Sequence, residues 1–181
     1  TLETIPAQPY LGAPTELEEV WRQRLKPYAG TRRVGLAWSG NPQYVNDTTR
    51  SVAFEKVLAL LDVPGVTFVG LQRDVRSGDE DAFGRSRVLD FRREFDDMAE
   101  TAALISQLDL VISVDTSIAH LAGALGKPVW ILLSAVCDWR WLEDRSDSPW
   151  HPTARLFRQK TLGEWDAVCA DVKDALVRSA Q

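Results

Sequence analysis

The chain has 181 residues, 45% hydrophobic and 26% charged, with a formal net charge of −5. That length and balance fit one ordinary soluble domain with a real core, and the acidic surplus weighs against a general nucleic-acid binder. No apolar run approaches the roughly 18–20 residues of a membrane-spanning helix; the longest, 129–137, is broken by Ser134.

No basic-then-apolar leader is present, so no secretory signal is expected. A chain that begins at Thr1 is read as a piece of a longer protein. Of the 21 basic residues five are Lys and the rest Arg. Arg suits bidentate phosphate contacts, although a GC-rich genome explains the bias as well. Cys137 and Cys169 have neither CxxC nor metal spacing, and are expected as free thiols in a reducing, cytoplasmic compartment.

Residues 1–14 hold three prolines and no period, which predicts an irregular linker. Thr15 and Glu18 have capping-box spacing, so a helix is expected from Glu16 to about Lys26, ended by Pro27 and Gly30. Residues 1–30 are therefore read as linker and leading helix, and 31–181 as the main domain. Six short apolar runs then predict strands: 33–38, 66–71, 87–91, 110–114, 129–133 and 155–158. Between them, helical spacing appears at 54–61, from Asp97 to Leu108 with Glu100 at the cap, at 116–125, and at 163–179. Residues 39–50, 72–85 and 134–153 read as loops, the last rich in Trp. Strands that are continuously apolar and alternate with helices argue for an α/β, Rossmann-like parallel sheet of about six strands with helices on both faces.

In such a sheet, ligands bind at the carboxyl ends of the strands, so each strand-to-helix junction is a candidate site. At Val114-Asp115-Thr116-Ser117-Ile118-Ala119-His120 a buried strand meets a helix of small residues. Free amides, the Thr116 and Ser117 hydroxyls and His120 leaning back toward the helix start would form an anion site. The plainer reading is that Asp115 or Thr116 only caps the helix and His120 is a core residue. Ser39-Gly40-Asn41 follows the first strand without a GxGxxG pattern; Arg50-Ser51 closes that loop where a guanidinium could meet phosphate. Gln72 and Arg73 follow the second strand and would reach base, ribose or phosphate, or simply be solvated. Asp138-Trp139-Arg140-Trp141, with Trp150-His151-Pro152, offers aromatic stacking or a packing interface. No metal set, P-loop or Ser-His-Asp signature is present.

The segment DTSIAHLAGALGKPVW at 115–130 resembles the Asp-Thr-Gly/Ser/Ala-x-x-His motif of heptosyltransferase-like glycosyltransferases. GLAWSGNP (35–42), TFVGLQ (67–72), DWRW (138–141) and SPWHPTARLFRQ (148–159) resemble a narrower group, bacterial tetratricopeptide-repeat proteins ending in such a region. The resemblance implies a GT-B fold of two Rossmann-like domains, of which this chain would be the C-terminal, donor-binding half. TLETIPAQPYLG (1–12) resembles the stretch joining the halves. It further implies a nucleotide diphosphate sugar as donor substrate, with no cofactor and no metal. Asp115, Thr116, Ser117 and His120 would sit at the diphosphate, and Ser39, Gly40 and Asn41 would border the same pocket. Arg50 or Ser51 would lie near the phosphates, and Gln72 and Arg73 near the nucleoside. Trp38-Ser39 stands where heptosyltransferases usually place a lysine, which weighs against ADP-heptose as donor. Ser117 replaces the common Gly with another small residue.

On this reading His120 helps stabilise the leaving diphosphate and the catalytic base belongs to the absent N-terminal half, so the chain alone binds nucleotide without turnover. The expected partners are that half and the helical repeats; a homodimer through the surface they would cover is open. So are a degenerate, non-catalytic binding or scaffold module, a different nucleotide-using GT-B enzyme such as an epimerase, and a flavodoxin-like regulatory domain.

Overall fold

The computed structural model describes residues 4–5 and 8–179. The remaining positions of the expected linker and of the C-terminus lie outside the described residues. In chain order the elements are α1 (Thr15–Leu25), β1 (Arg32–Ala37), α2 (Asp47–Arg50), α3 (Phe54–Val57), β2 (Val66–Gly70) and α4 (Glu80–Gly84). They continue with α5 (Met98–Ser106), β3 (Leu110–Val114), α6 (Ser117–Ala124), β4 (Val129–Leu133), β5 (Ala154–Arg158) and α7 (Trp165–Ser179).

Five strands form one all-parallel sheet in the order β2-β1-β3-β4-β5. Val34 of β1 lies opposite Phe68 on one side and Leu110 on the other. Alternate side chains feed opposite faces. Val34, Leu36, Phe68, Ile112 and Leu132 pack with α3 and α7, while Val69, Val111, Ile131 and Leu133 pack with α1, α5 and α6. The apolar side of α7 falls as its spacing predicts, with Trp165, Val168, Val172 and Leu176 all buried. No helix among the described residues is long and apolar enough to cross a membrane.

The expected sixth strand, 87–91, contributes a single bridge, Val69 to Leu89. Side chains on both sides of Leu89 take over the backbone. Ser86 Oγ accepts from Val88 N–H and Asp90 accepts from Arg92 N–H, turning the chain before a ladder can extend. The capping box at Thr15 does not form. Pro14 is the N-cap, its carbonyl accepts from Glu18 N–H, and no side chain caps the helix. The Asp97 cap does form, accepting from Glu100 N–H at 2.8 Å. Residues 72–85, read as loop, contain α4, and α1 buries Trp21 and Leu25.

The chain leaves β1 toward β2 on one side and returns to β3 on the other. That reversal opens a crevice at the carboxyl ends of β1 and β3, where Ser39 and Asp115-Thr116 lie. The irregular N-terminal arm runs along the end of α6. Tyr10 and Leu11 N–H donate to Ala124 O, and Pro9 packs on Gly126, whose φ of +71° ends the helix.

Candidate functional site

A cleft of about 950 Å³ opens at the carboxyl end of β3. Asp115, Thr116, Ser117 and His120 line it from the start of α6, Arg50 from α2, and Trp141 and His151 from the long loop after β4. The Ser117 and Ile118 amides have no acceptor among the described residues, as expected of the first turn of a helix. The capping alternative is not met: no side chain caps α6, and the Thr116 hydroxyl instead lies 3.1 Å from Ser113 Oγ.

Arg50 is held from several sides. Its Nη1 donates to Asp115 O at 2.9 Å, its Nε faces Asp47 Oδ1 at 3.4 Å, and its guanidinium lies 4.5 Å from the Tyr44 ring centre. Asp47 is 2% exposed and also pairs with Arg76 and accepts from Ser51 Oγ. Asp47 and Asp115 balance Arg50 and Arg76, so the cleft is not a bare positive patch. Attraction for an anion would have to come from directed donors, the α6 amides and His120, with one face of Arg50.

His120 is the most constrained of these groups. Its ring stacks on Trp141, centroids 5.1 Å apart, and its Nδ1 lies 3.2 Å from His151 Nε2. On the other side Nε2 faces Asp115 Oδ1 at 3.7 Å, longer than a hydrogen bond. Burial pushes the Asp115 carboxyl up, but His120, the Trp141 indole and the Arg50 charge outweigh it and hold the group below the ordinary carboxylate value. The Trp141 Nε1–H faces this carboxylate without closing a hydrogen bond of normal geometry. Burial, then the neighbouring His120, holds the His151 imidazole below its ordinary value, so His151 is neutral near pH 7.

Trp141 is placed by the turn at Trp139–Trp141, where Asp138 accepts from Arg140 N–H. Leu142 follows with φ of +51°, a strained value for leucine. Arg158 of β5 clamps that bend, donating to the Leu142 carbonyl at 2.7 Å and the Trp141 carbonyl at 3.2 Å.

The remaining candidates divide. Ser39, Gly40, Gln72 and Arg73 line a second, smaller cavity of about 290 Å³, which shares Thr116 and Ser117 with the first. Gln72 there is buried and spent on backbone groups: Oε1 accepts from Trp38 and Ser39 N–H, and Nε2 donates to Asp74 O. Arg73 is turned to Asp96, donating to its carbonyl. Ser39 Oγ is buried with no partner among the described residues. Asn41 lines neither cavity and accepts from Gln43 N–H. Ser51 supports the wall, accepting from Gly40 N–H at 3.0 Å. A Cβ on Gly40 would stand 2.5 Å from Arg50 Nη2 and 2.6 Å from Asp47 Oδ1, so the bare backbone there lets Arg50 lie close. Both cysteines are free, and burial pushes the Cys169 thiol up to about 11. Among the described residues no three His, Cys, Asp or Glu side chains gather as a metal would require.

In the sequence His151 stands out only as part of a Trp-rich loop, and Asp47 and Arg76 do not stand out at all. The one local signal for His151 is Gly123, three positions after His120 on the same helix face. A Cβ there would overlap the His151 ring.

Comparison with known proteins bears on this part of the chain. Over 165 residues it is 29% identical to Protein FlbA of Caulobacter vibrioides, an alignment covering 86% of this chain and 27% of that protein. Its fold matches a glycosyl transferase family 9 structure from Veillonella parvula, with a TM-score of 0.65 at 11% identity over 94% of this chain and 52% of that one. It also matches the ADP-heptose lps heptosyltransferase II of E. coli, with a TM-score of 0.58 at 14% identity over 94% of this chain and 54% of that one. At these identities the two structures speak to fold, and the chain spans only part of each relative. Residues 97–157 match the model of glycosyltransferase family 9 (heptosyltransferase), a stretch that includes α6, His120, Trp141 and His151.

Proposed function

We propose that this domain is the nucleotide-diphosphate-sugar-binding half of a glycosyltransferase that transfers a sugar to an acceptor hydroxyl. The observation that carries the reading is the convergence on one cleft of the free Ser117 amide, His120 and Arg50, with the free Ile118 amide beside it in the adjoining smaller cavity. Directed donors of this kind stabilise charge that develops on a leaving diphosphate. The family match of residues 97–157 supports it independently. The catalytic base and much of the acceptor site would come from a second domain, so this domain alone binds nucleotide without turnover.

A second reading, a non-catalytic binding or scaffold module, draws on the exposed aromatic rim. Trp139 is 66% exposed and meets Trp150 edge to face at 6.0 Å.

A thermal-shift panel of UDP, ADP, GDP, CDP and dTDP at millimolar concentration tests the proposal. A ligand at one hundred times its dissociation constant adds roughly 2.7 kcal/mol, raising Tm by roughly 5–11 °C for a domain of this size. One nucleotide should give such a shift, and Arg50→Ala and His120→Ala should shrink it. No shift with any of the five supports the scaffold reading instead.

A further inference from the structure

His120 does not set its own tautomer. Its Nδ1 and His151 Nε2 lie 3.2 Å apart, so one proton sits between the two rings. His151 is 3% exposed, and its Nδ1 is buried without a partner among the described residues. Were His120 Nδ1–H the donor, a neutral His151 would carry its own proton on Nδ1, as a buried N–H with no acceptor. With His151 Nε2–H as donor, the orphan is a bare acceptor instead. Among backbone groups an orphaned buried N–H is rarer than an under-satisfied acceptor, and the imidazole is read by the same rule. The far side of His120 makes the same choice. With Nδ1 accepting, its proton is on Nε2, which faces the Asp115 carboxylate. The opposite tautomer would set a lone pair against that anion.

The surroundings keep His151 in place. Gly123 leaves the space its ring fills, since a Cβ there would overlap Cγ and Nδ1. Trp141, 0% exposed, holds the His120 ring in plane, stacked at an interplanar angle of 19°.

We infer that His151 is a positioning residue that fixes His120 as its Nε2–H tautomer, presenting that donor to the cleft. The 3.7 Å separation from Asp115 orients this N–H without consuming it, so it stays open to a ligand oxygen. The tautomer stands by itself; only its use for an anionic ligand rests on the function proposed above.

The chain has two histidines, so the ring nitrogen resonances of histidine-labelled protein come from His120 and His151 alone. Long-range ¹H–¹⁵N spectra at pH 8, above the ordinary histidine range, should show both rings protonated at Nε2. His151→Gln, whose side-chain amide supplies a donor near the same point, should preserve the His120 pattern. His151→Leu should turn it into a mixture of tautomers. Affinity for the nucleoside diphosphate that binds should fall about five-fold in His151→Leu, the value of one neutral hydrogen bond, and recover in His151→Gln. A His120 protonated at Nδ1 in the wild-type protein overturns the inference, as does an unchanged His120 pattern in folded His151→Leu. Should the Leu variant fail to fold, the wild-type and Gln spectra decide. Expected tautomers with no nucleotide binding would refute the proposed function and leave this inference standing.

Discussion

Gly123→Ala is a sharp probe of the packing around the two histidines. On an unencumbered helix face this change stabilises by about 0.8–1 kcal/mol, because Gly is the poorer helix former. Here the new methyl would overlap two atoms of the His151 ring and lie 2.8 Å from its Cβ, inside the 3.0 Å that real Cβ contacts respect. Overpacking of this kind costs about 1–3 kcal/mol. Driving the ring aside also breaks its bond to His120, worth about 1 kcal/mol. Set against the propensity gain, the net loss should be about 1–3 kcal/mol, or a fall in Tm of about 2–12 °C by differential scanning calorimetry. The control is the same change in His151→Gly, where both the ring and its Cβ are gone. There Gly123→Ala should raise Tm by about 2–4 °C over the single variant. A neutral or stabilising effect in the wild-type background, or the same sign in both backgrounds, refutes the reasoning.

Two further predictions concern charge and reach. The His151 imidazole is held below its ordinary value by burial and by His120, so as pH falls through about 6.5 the unfolded chain takes up a proton that the native state refuses. Stability should therefore fall with decreasing pH from about 6.5, and pH-dependent chemical denaturation should show His151→Gln with a flatter curve over that window. Asp115, held below its ordinary value, acts in the same direction only at more acid pH: its contribution is intact above about 4 and lost beneath. Gly40→Ala would press on the tip of Arg50 and on the buried Asp47 carboxylate, which Arg76 and Ser51 hold in place. Denaturant melts should find a loss of about 1–3 kcal/mol, and calorimetry should find the nucleotide bound more weakly.

Much of the frame was legible in the sequence because its signals are local. Runs such as Leu110–Val114 and Val129–Leu133 are apolar throughout and were read as buried strands, which they are. The Asp97–Glu100 cap and the apolar stripe of α7 likewise depend on neighbours within a turn or two. The failures came where two local options compete. Val88 and Leu89 look like a strand, but Ser86 and Asp90 claim the adjoining backbone N–H groups. Thr15 looks like a cap, but Pro14 starts the helix one residue sooner.

The site was half legible for a similar reason. The β3–α6 junction announces itself as strand, small polar residues and helix, and it does line the principal cleft. Arg50 joins it across 65 positions of sequence through the Asp115 carbonyl. Nothing near His120 in the sequence indicates that His151, 31 residues later, will share its proton. Gln72 misleads in the other direction, for a polar residue at a strand end looks ready for a ligand until its amide is found spent on Trp38, Ser39 and Asp74.

The start of α6 is proposed to receive a nucleoside diphosphate, and amide chemical-shift mapping tests this most directly. On titrating the nucleotide that raises Tm, the Ser117 and Ile118 amides should shift first and furthest, with His120 and the Arg50 side chain following. Large shifts confined to other surfaces, or none at these amides at saturation, would contradict it.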